Sequence, residues 1–291
     1  MFTYCYLGTP LRWGIQVRYS IMKMWVVIFF SLIFSRTLPL LKYQSSSKIN
    51  VKNKHKIISY HSITNDNEKR LNWKISPFKG YFTFDELGYS GFGTSAKRRC
   101  ELLGFNDDET KSRAERFLFR KKVSKYHIIN RNTLEGVRKI IVVEQLDDDS
   151  VSALRVIDNA QLIEIAHMLS GVYGAVVCFR PHPLSKHKAP ENIIIDKSDF
   201  EELKSSDSII LTHNSGYGIQ SVSNDIKTVF FCRNEFKDTH FDSSININDM
   251  ASYAKKEIDD FKMANYSEYF SSIVSVYDFR LIFRMISNFV R

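Results

Sequence analysis

An α/β fold built on parallel sheets follows from three features of this sequence. Short β-branched or aliphatic runs alternate with stretches of helical period, most regularly beyond residue 136. Three of those runs, Lys139 to Val143, Gly174 to Phe179 and Ser208 to Leu211, stop at polar clusters. With 44% hydrophobic and 25% charged residues, the 291-residue chain can build a substantial core, as one large domain or two of moderate size.

The first apolar run, Met24-Trp25-Val26-Val27-Ile28-Phe29-Phe30 and on to Phe34, follows Arg12, Arg18 and Lys23. Basic residues before an apolar run resemble a signal peptide, but no small-x-small cleavage site follows. The run is shorter than the ~20 residues of a membrane span, and Arg36 interrupts it. Four readings stay open here: a buried strand or helix of the first domain, a membrane-surface anchor, a cleaved signal, or a leader left by a start assigned too far upstream. Ser45-Ser46-Ser47 with Lys52 and Lys54 is a polar connector, too short for a domain linker.

Lys56 to His61 reads as a strand with a polar loop through Asn67. Tyr81 to Phe84 is another, ending in Asp85-Glu86-Leu87-Gly88-Tyr89-Ser90-Gly91. Asp107 to Lys125 has helical period, with Ala114, Phe117, Leu118 and Val123 on one face. A turn over Asn130 to Gly136 precedes the regular half. There the pattern predicts a strand at 139–143, a helix at 157–170 and a strand at 174–179. Short strands at Ile193 to Ile195, Ile209 to Leu211 and Thr228 to Phe231 follow. The tail from Asp249 to Arg291 is helical. The expected division is an N-terminal α/β domain over 1–135 and a second, Rossmann-like domain over 136–291, whose terminal helices pack back.

The formal charge of +9 favours anionic partners without choosing among them. Lys111, Arg113, Arg116, Arg120, Lys121, Lys122 and Lys125 form a basic stretch with Phe117 and Phe119 among them. No groove-reading motif accompanies it, so it predicts a solvated face or an anionic membrane contact and no nucleic-acid partner. Cys5, Cys100, Cys178 and Cys232 have no CxxC or zinc-like spacing; Cys178 and Cys232, inside apolar runs, read as buried free thiols, and the lack of a disulfide framework fits a reducing compartment.

In an open parallel sheet the carboxyl ends of neighbouring strands share one crevice, where ligands sit. Three polar clusters would meet there. Arg180-Pro181-His182-Pro183 presents an Arg and a His on a backbone stiffened by two prolines, suited to a phosphate or carboxylate; a plain turn with a surface His is the alternative. Asn214-Ser215-Gly216-Tyr217-Gly218 precedes a helical stretch, where small residues let backbone N–H groups approach a phosphate. Asp147-Asp148-Asp149, after Gln145, is a solvated acidic turn or a cap for the following helix, and no histidine or further carboxylate stands at a metal-ligand spacing from it. Asp85-Glu86 at an earlier strand end supplies further carboxylates, as glycosyl transfer uses in pairs. Together these groups suit an activated anionic sugar.

Four segments in order then resemble a known family, the bacterial capsule polysaccharide biosynthesis proteins that include the retaining β-Kdo transferases. They are Glu86-Leu87-Gly88-Tyr89, Gln145 to Asp149, Arg180 to Pro183, and Asn214-Ser215 running into Gly218-Ile219; the match spans about Tyr81 to Phe231. Two departures stand out: Gln220 lies where the family has Glu, and Glu144 where a small residue is usual. The resemblance implies a GT-B-like architecture of two Rossmann-type domains, the first short or irregular. It implies a cytoplasmic transferase, peripheral on the inner membrane, that moves an acidic sugar, Kdo, from a CMP-activated donor to a glycan or lipid-linked acceptor. The CMP-sugar is a substrate; neither a metal nor a cofactor is implied. By carry-over, His182 and Ser215, in the Asn214-Ser215-Gly216 loop, bind the CMP phosphate with Arg180 assisting. Asp149 or Asp148 is the carboxylate below the anomeric carbon, Gln145 orients that Asp or the sugar, and Glu86 is the acid/base. A sialyltransferase-like enzyme using CMP-sialic acid and a non-catalytic export or scaffold protein of a capsule locus are the competing readings.

Overall fold

The computed structural model describes residues 2–7, 15–35, 38–43, 56–64, 69–120, 134, 136–147, 149–185, 190–236, 241 and 245–290. Its contacts divide the chain into two units, Met1–Lys122 with Ser267–Arg291, and Val123–Tyr266.

The first unit opens with β1 (Phe2–Leu7), α1 (Ile15–Phe34), β2 (Leu38–Tyr43), β3 (Lys56–Tyr60), β4 (Lys69–Ile75) and β5 (Tyr81–Asp85). β1 lies between β2 and β3, parallel to both, and β4 continues parallel beside β3. β5 instead runs antiparallel to β4, with Asn72 opposite Asp85 and Ile75 opposite Phe82. The sheet is therefore mixed, which corrects the expectation of a parallel sheet in each half. Chain length is the cause: residues 76–80 make a hairpin-length connection, whereas a parallel return needs about a dozen residues or more. Gly80, at φ 79°, supplies the left-handed residue of that turn. β4 is not among the expected strands, because Lys69-Arg70-Leu71-Asn72-Trp73-Lys74 reads as polar. Its Arg70 and Asn72 are nevertheless buried; Ser59 Oγ donates to Asn72 Oδ1 at 2.9 Å, and Arg70 Nη1 donates to the Ile63 carbonyl at 3.1 Å.

The N-terminal apolar run is a helix of the first unit with one face buried, as the buried-element reading expects, and the opposite face exposed. α1 places Met24, Ile28 and Leu32, spaced by four, in a core with Ile58, Trp73 and Phe82. Burying each such side chain contributes about 2 kcal/mol relative to leaving it in water. Among the described residues no helix is long and apolar enough to cross a membrane. α2 (Ala96–Leu102) starts at Ser95, whose hydroxyl accepts the Arg98 N–H. α3 (Asp107–Arg120) gathers Asp107, Asp108 and Glu109 in its first turn, which favours the positive end of the helix dipole. It buries Ala114 and Phe117 and exposes Lys111, Arg116 and Arg120; Lys121, Lys122, Val123 and Lys125 lie outside the described residues.

The second unit contains β6 (Lys139–Val143), α4 (Asn159–Tyr173), β7 (Val176–Arg180), β8 (Ile194–Ile195), α5 (Phe200–Ser205), β9 (Ile209–Thr212), α6 (Gly216–Ser223), β10 (Lys227–Phe230) and α7 (Ile247–Asp259). Its five strands are all parallel in the order β10-β9-β6-β7-β8. Alternation along β6 divides two cores: Ile140 and Val142 pack with α4 and α7, Ile141 and Val143 with Leu203 of α5 and Tyr217 of α6. Helices thus cover both faces, as the sequence predicts for this half. Cys178 and Cys232 are buried in this unit and Cys100 in the first, all three as free thiols. α4 begins in a reciprocal cap, Asp158 accepting the Gln161 N–H and Gln161 accepting the Asp158 N–H, and ends at Gly174 with φ 57°.

The tail corrects the expected division. α8 (Ser267–Ser272), β11 (Val274–Ser275) and α9 (Phe279–Val290) belong with the first unit. β11 pairs antiparallel with β5, which would otherwise be an open sheet edge. Ile282 and Ile286 of α9 enter the same core as Met24 and Ile28.

Candidate active site

The order of strands in the second unit locates the crevice. From β6 the chain steps to β7 and β8 on one side, then returns past β6 to β9 and β10 on the other. The connections therefore diverge at the carboxyl ends of β6 and β9, where α/β sheets take their ligands. The three polar clusters stand at the carboxyl ends of β6, β7 and β9.

Beyond β6, Gln145 is clamped by Asn159: its N–H donates to Asn159 Oδ1 at 3.3 Å, and Asn159 Nδ2 donates to its carbonyl at 3.0 Å. With the backbone held, Gln145 Nε2 donates to Asp149 Oδ2 at 3.1 Å. Asp149 also caps a short 3-10 turn over Ser150–Leu154 by accepting the Val151 N–H. Asp147 is exposed and accepts from Arg155 Nη2 at 2.8 Å. Asp148 lies outside the described residues.

Beyond β7, the loop is organised by a residue to which sequence reasoning gave no role. Buried Glu144 accepts the His182 N–H through Oε2 at 2.7 Å and the Ser185 hydroxyl through Oε1 at 2.8 Å. His182 Nδ1 in turn accepts the Leu184 N–H at 3.1 Å. A neutral imidazole in that arrangement carries its proton on Nε2, as a hydrogen-bond donor. Arg180 is differently committed. Its Nη2 lies 3.0 Å from buried Asp196 Oδ2, and its guanidinium stacks 4.3 Å from the Tyr217 ring centroid. Burial pulls its pKa down, opposed by Asp196. These partners give Arg180 a positioning role that ties β7 to α6.

Beyond β9, Ser215 is the N-cap of α6, its Oγ accepting the Tyr217 N–H at 3.1 Å; Gly216 is the first helical residue. Asn214 is buried, with Nδ2 3.5 Å from the Arg233 carbonyl and Oδ1 without a hydrogen-bond partner among the described residues. His213, in the same cluster but unassigned from sequence, is wholly buried, and its Nε2 lies 3.0 Å from the Ile157 carbonyl. Burial, then nearby Arg155, lower its pKa to about 4, so it is neutral and donates that bond. Gly218 is required by packing: a Cβ there would stand 2.7 Å from Thr212 Cγ2 and 2.9 Å from Phe230 Cε1. Only a glycine lets α6 start this close to β9 and β10. Gln220 is buried one turn further on.

Glu86 belongs to the first unit. Exposed at the end of β5, it borders a cavity of about 170 Å³ also lined by Lys69, Arg99 and Asn288. Its neighbour Asp85 is buried and structural: Oδ1 accepts the Leu87 and Gly88 N–H groups at 2.8 and 3.1 Å, and Oδ2 accepts the Thr94 N–H and hydroxyl. Asp85 therefore fixes the backbone that carries Glu86.

No family model matches the chain, and no curated protein matches it in sequence. Among solved structures it is similar to the β-Kdo 2,7 transferase of Thermosulfurimonas dismutans KpsC, at 15% identity over 87% of this chain and 90% of that one, with a TM-score of 0.50. The shared feature is the fold. The β-Kdo 2,4 transferase of the same KpsC aligns at 13% identity over 79% of this chain and 80% of that one, with a TM-score of 0.49.

Proposed function

We propose that the chain is a glycosyltransferase of capsule or surface polysaccharide biosynthesis, with a GT-B layout, that moves an acidic sugar such as Kdo from a CMP-activated donor. The observation that carries this reading is the bonded pair Gln145–Asp149 in the same strand-end crevice as the His182 loop and the Ser215 cap of α6. A carboxylate aimed by a neighbouring amide, beside an N–H-rich helix start, suits attack on a sugar whose leaving group is a phosphate. Asp149 would attack the anomeric carbon while CMP departs with the bonding electron pair. An acceptor hydroxyl, losing its proton to a carboxylate base, would then displace Asp149, with net retention of configuration. His182 Nε2–H and the Ser215–Gly216 backbone would hold the donor phosphate, and Asn214 Oδ1 would accept from the donor. Arg180 would act through Asp196 and Tyr217 by holding the loop. The acceptor would be a glycan or a glycolipid, with cytoplasmic localisation as for the resembled family.

The test is to incubate the protein with CMP-Kdo and, separately, CMP-sialic acid, reading CMP release and protection against heating. CMP-Kdo should protect and turn over, and Asp149→Asn should lower CMP release by about 10³-fold or more while protection persists. Turnover of CMP-sialic acid alone would favour the sialyltransferase-like alternative. Protection by neither donor would favour a scaffold.

A further inference from the structure

We infer that α1 and α9 together form a docking face for an anionic lipid surface. α1 buries Met24, Ile28 and Leu32 on one side, yet its opposite side is apolar as well. Met22 (58% exposed), Val26 (47%), Phe30 (58%) and Ile33 (56%) recur every three or four residues and so make one stripe. A helix that is apolar all round is ordinarily enclosed. α9 packs beside α1. Ser35 and Ser287 hydroxyls bond at 2.7 Å near the C-terminal ends of both helices, and Lys23 Nζ, from the middle of α1, lies 5.6 Å over the Tyr277 ring just before α9, so the helices run in the same direction. α9 adds Phe279 (56% exposed) and Phe283 (40%).

Charge selects the occupant. Neither helix contains an Asp or Glu, and α9 exposes Arg280 and Arg284 next to its two phenylalanines. Asp278, which caps α9, is paired with Arg113. Apolar side chains flanked by cations, with no anion within either helix, match the boundary between acyl chains and anionic headgroups. A second copy of this face would bring Arg280 and Arg284 towards like charges across the contact. The lipid surface neutralises them. This face lies on helices that carry none of the proposed catalytic groups, so the inference stands independently of the transferase reading.

Flotation of the full chain with vesicles of phosphatidylcholine alone, or mixed with phosphatidylglycerol, tests it. The protein should float with the mixed vesicles only, and less as salt rises. Val26→Ser/Phe30→Ser/Ile33→Ser should bind at least about tenfold more weakly, and Arg280→Gln about fivefold. Both should melt like the parent, because the altered side chains are exposed. Independently, Phe30→Trp should shift its emission to the blue with mixed vesicles. No flotation with mixed vesicles, or undiminished binding by the triple variant, overturns the inference. A dimer that the triple variant dissolves, without vesicle binding, would assign the face to a second copy.

Discussion

Glu144, Asp85 and Arg180 show how little a side chain's chemistry says about its use until its partners are known. Glu144 and Asp85 are acidic residues at strand ends, as catalytic carboxylates often are. Each is buried and spends both oxygens on the loop that follows or faces it. Arg180 heads the most anion-like motif in the chain but pairs with Asp196 and stacks on Tyr217. His213 is likewise a structural histidine, and it has a measurable consequence. Its folded pKa of about 4 lies below its ordinary 6.5. Between those values the unfolded chain binds a proton that the folded chain does not, so stability falls as pH drops through that window, by roughly 3 kcal/mol at full effect. Urea midpoints at pH 7 and pH 4.5 should fall further apart in the parent than in His213→Gln, which keeps an N–H for the Ile157 carbonyl. An equal fall in both would remove His213 as a cause of acid sensitivity. For Gln145 the family resemblance implied a role in orienting the Asp or the sugar, and its bond to Asp149 spans only four residues. The Glu144 bond to His182 was not legible, since it spans 38 residues and needs β6 and β7 side by side.

At the scale of elements, the regular half reads well because period and geometry agree. Aliphatic runs of four or five become strands buried on both faces, and Gly174 and Asp158 mark the helix limits. β4 fails the same reading because its interior carries Arg70 and Asn72, which become acceptable in a core only through the Ser59, Ser62 and Ile63 partners. The α6 start is the most demanding junction. Gly218→Ala should destabilise the protein by about 1–3 kcal/mol through overpacking against Thr212 and Phe230. Urea denaturation of Gly218→Ala and of Gly218→Ala/Thr212→Ser measures it; the second variant lacks the Cγ2 that the new methyl meets and should recover part of the loss. No recovery would place the strain elsewhere.

For the whole molecule, the return of residues 267–291 to the first unit is decisive. β11 covers the edge of β5, and Ile282, Ile286 and Phe289 complete a core begun by α1. A chain ending at Tyr266 should therefore lose protease resistance in residues 1–122 first, leaving a resistant fragment close to residues 123–266, readable by limited proteolysis and mass spectrometry. Equal digestion of both units would show that each depends on the other for stability.

The parallel, doubly covered sheet of the second unit and the strand-end address of Gln145, Asp149, His182 and Ser215 were readable from the residues alone, because strand period and terminal polar residues are local properties. Tertiary structure alone decided the antiparallel hairpin of β4 and β5, the unit to which the tail belongs, and which charged side chains serve the loops. Those outcomes depend on partners tens of residues or more away, whose proximity local pattern does not encode. The same split applies to Met24 to Phe34: the run was plainly apolar, but only its packing against the sheet and α9 divided it into a buried face and an exposed one.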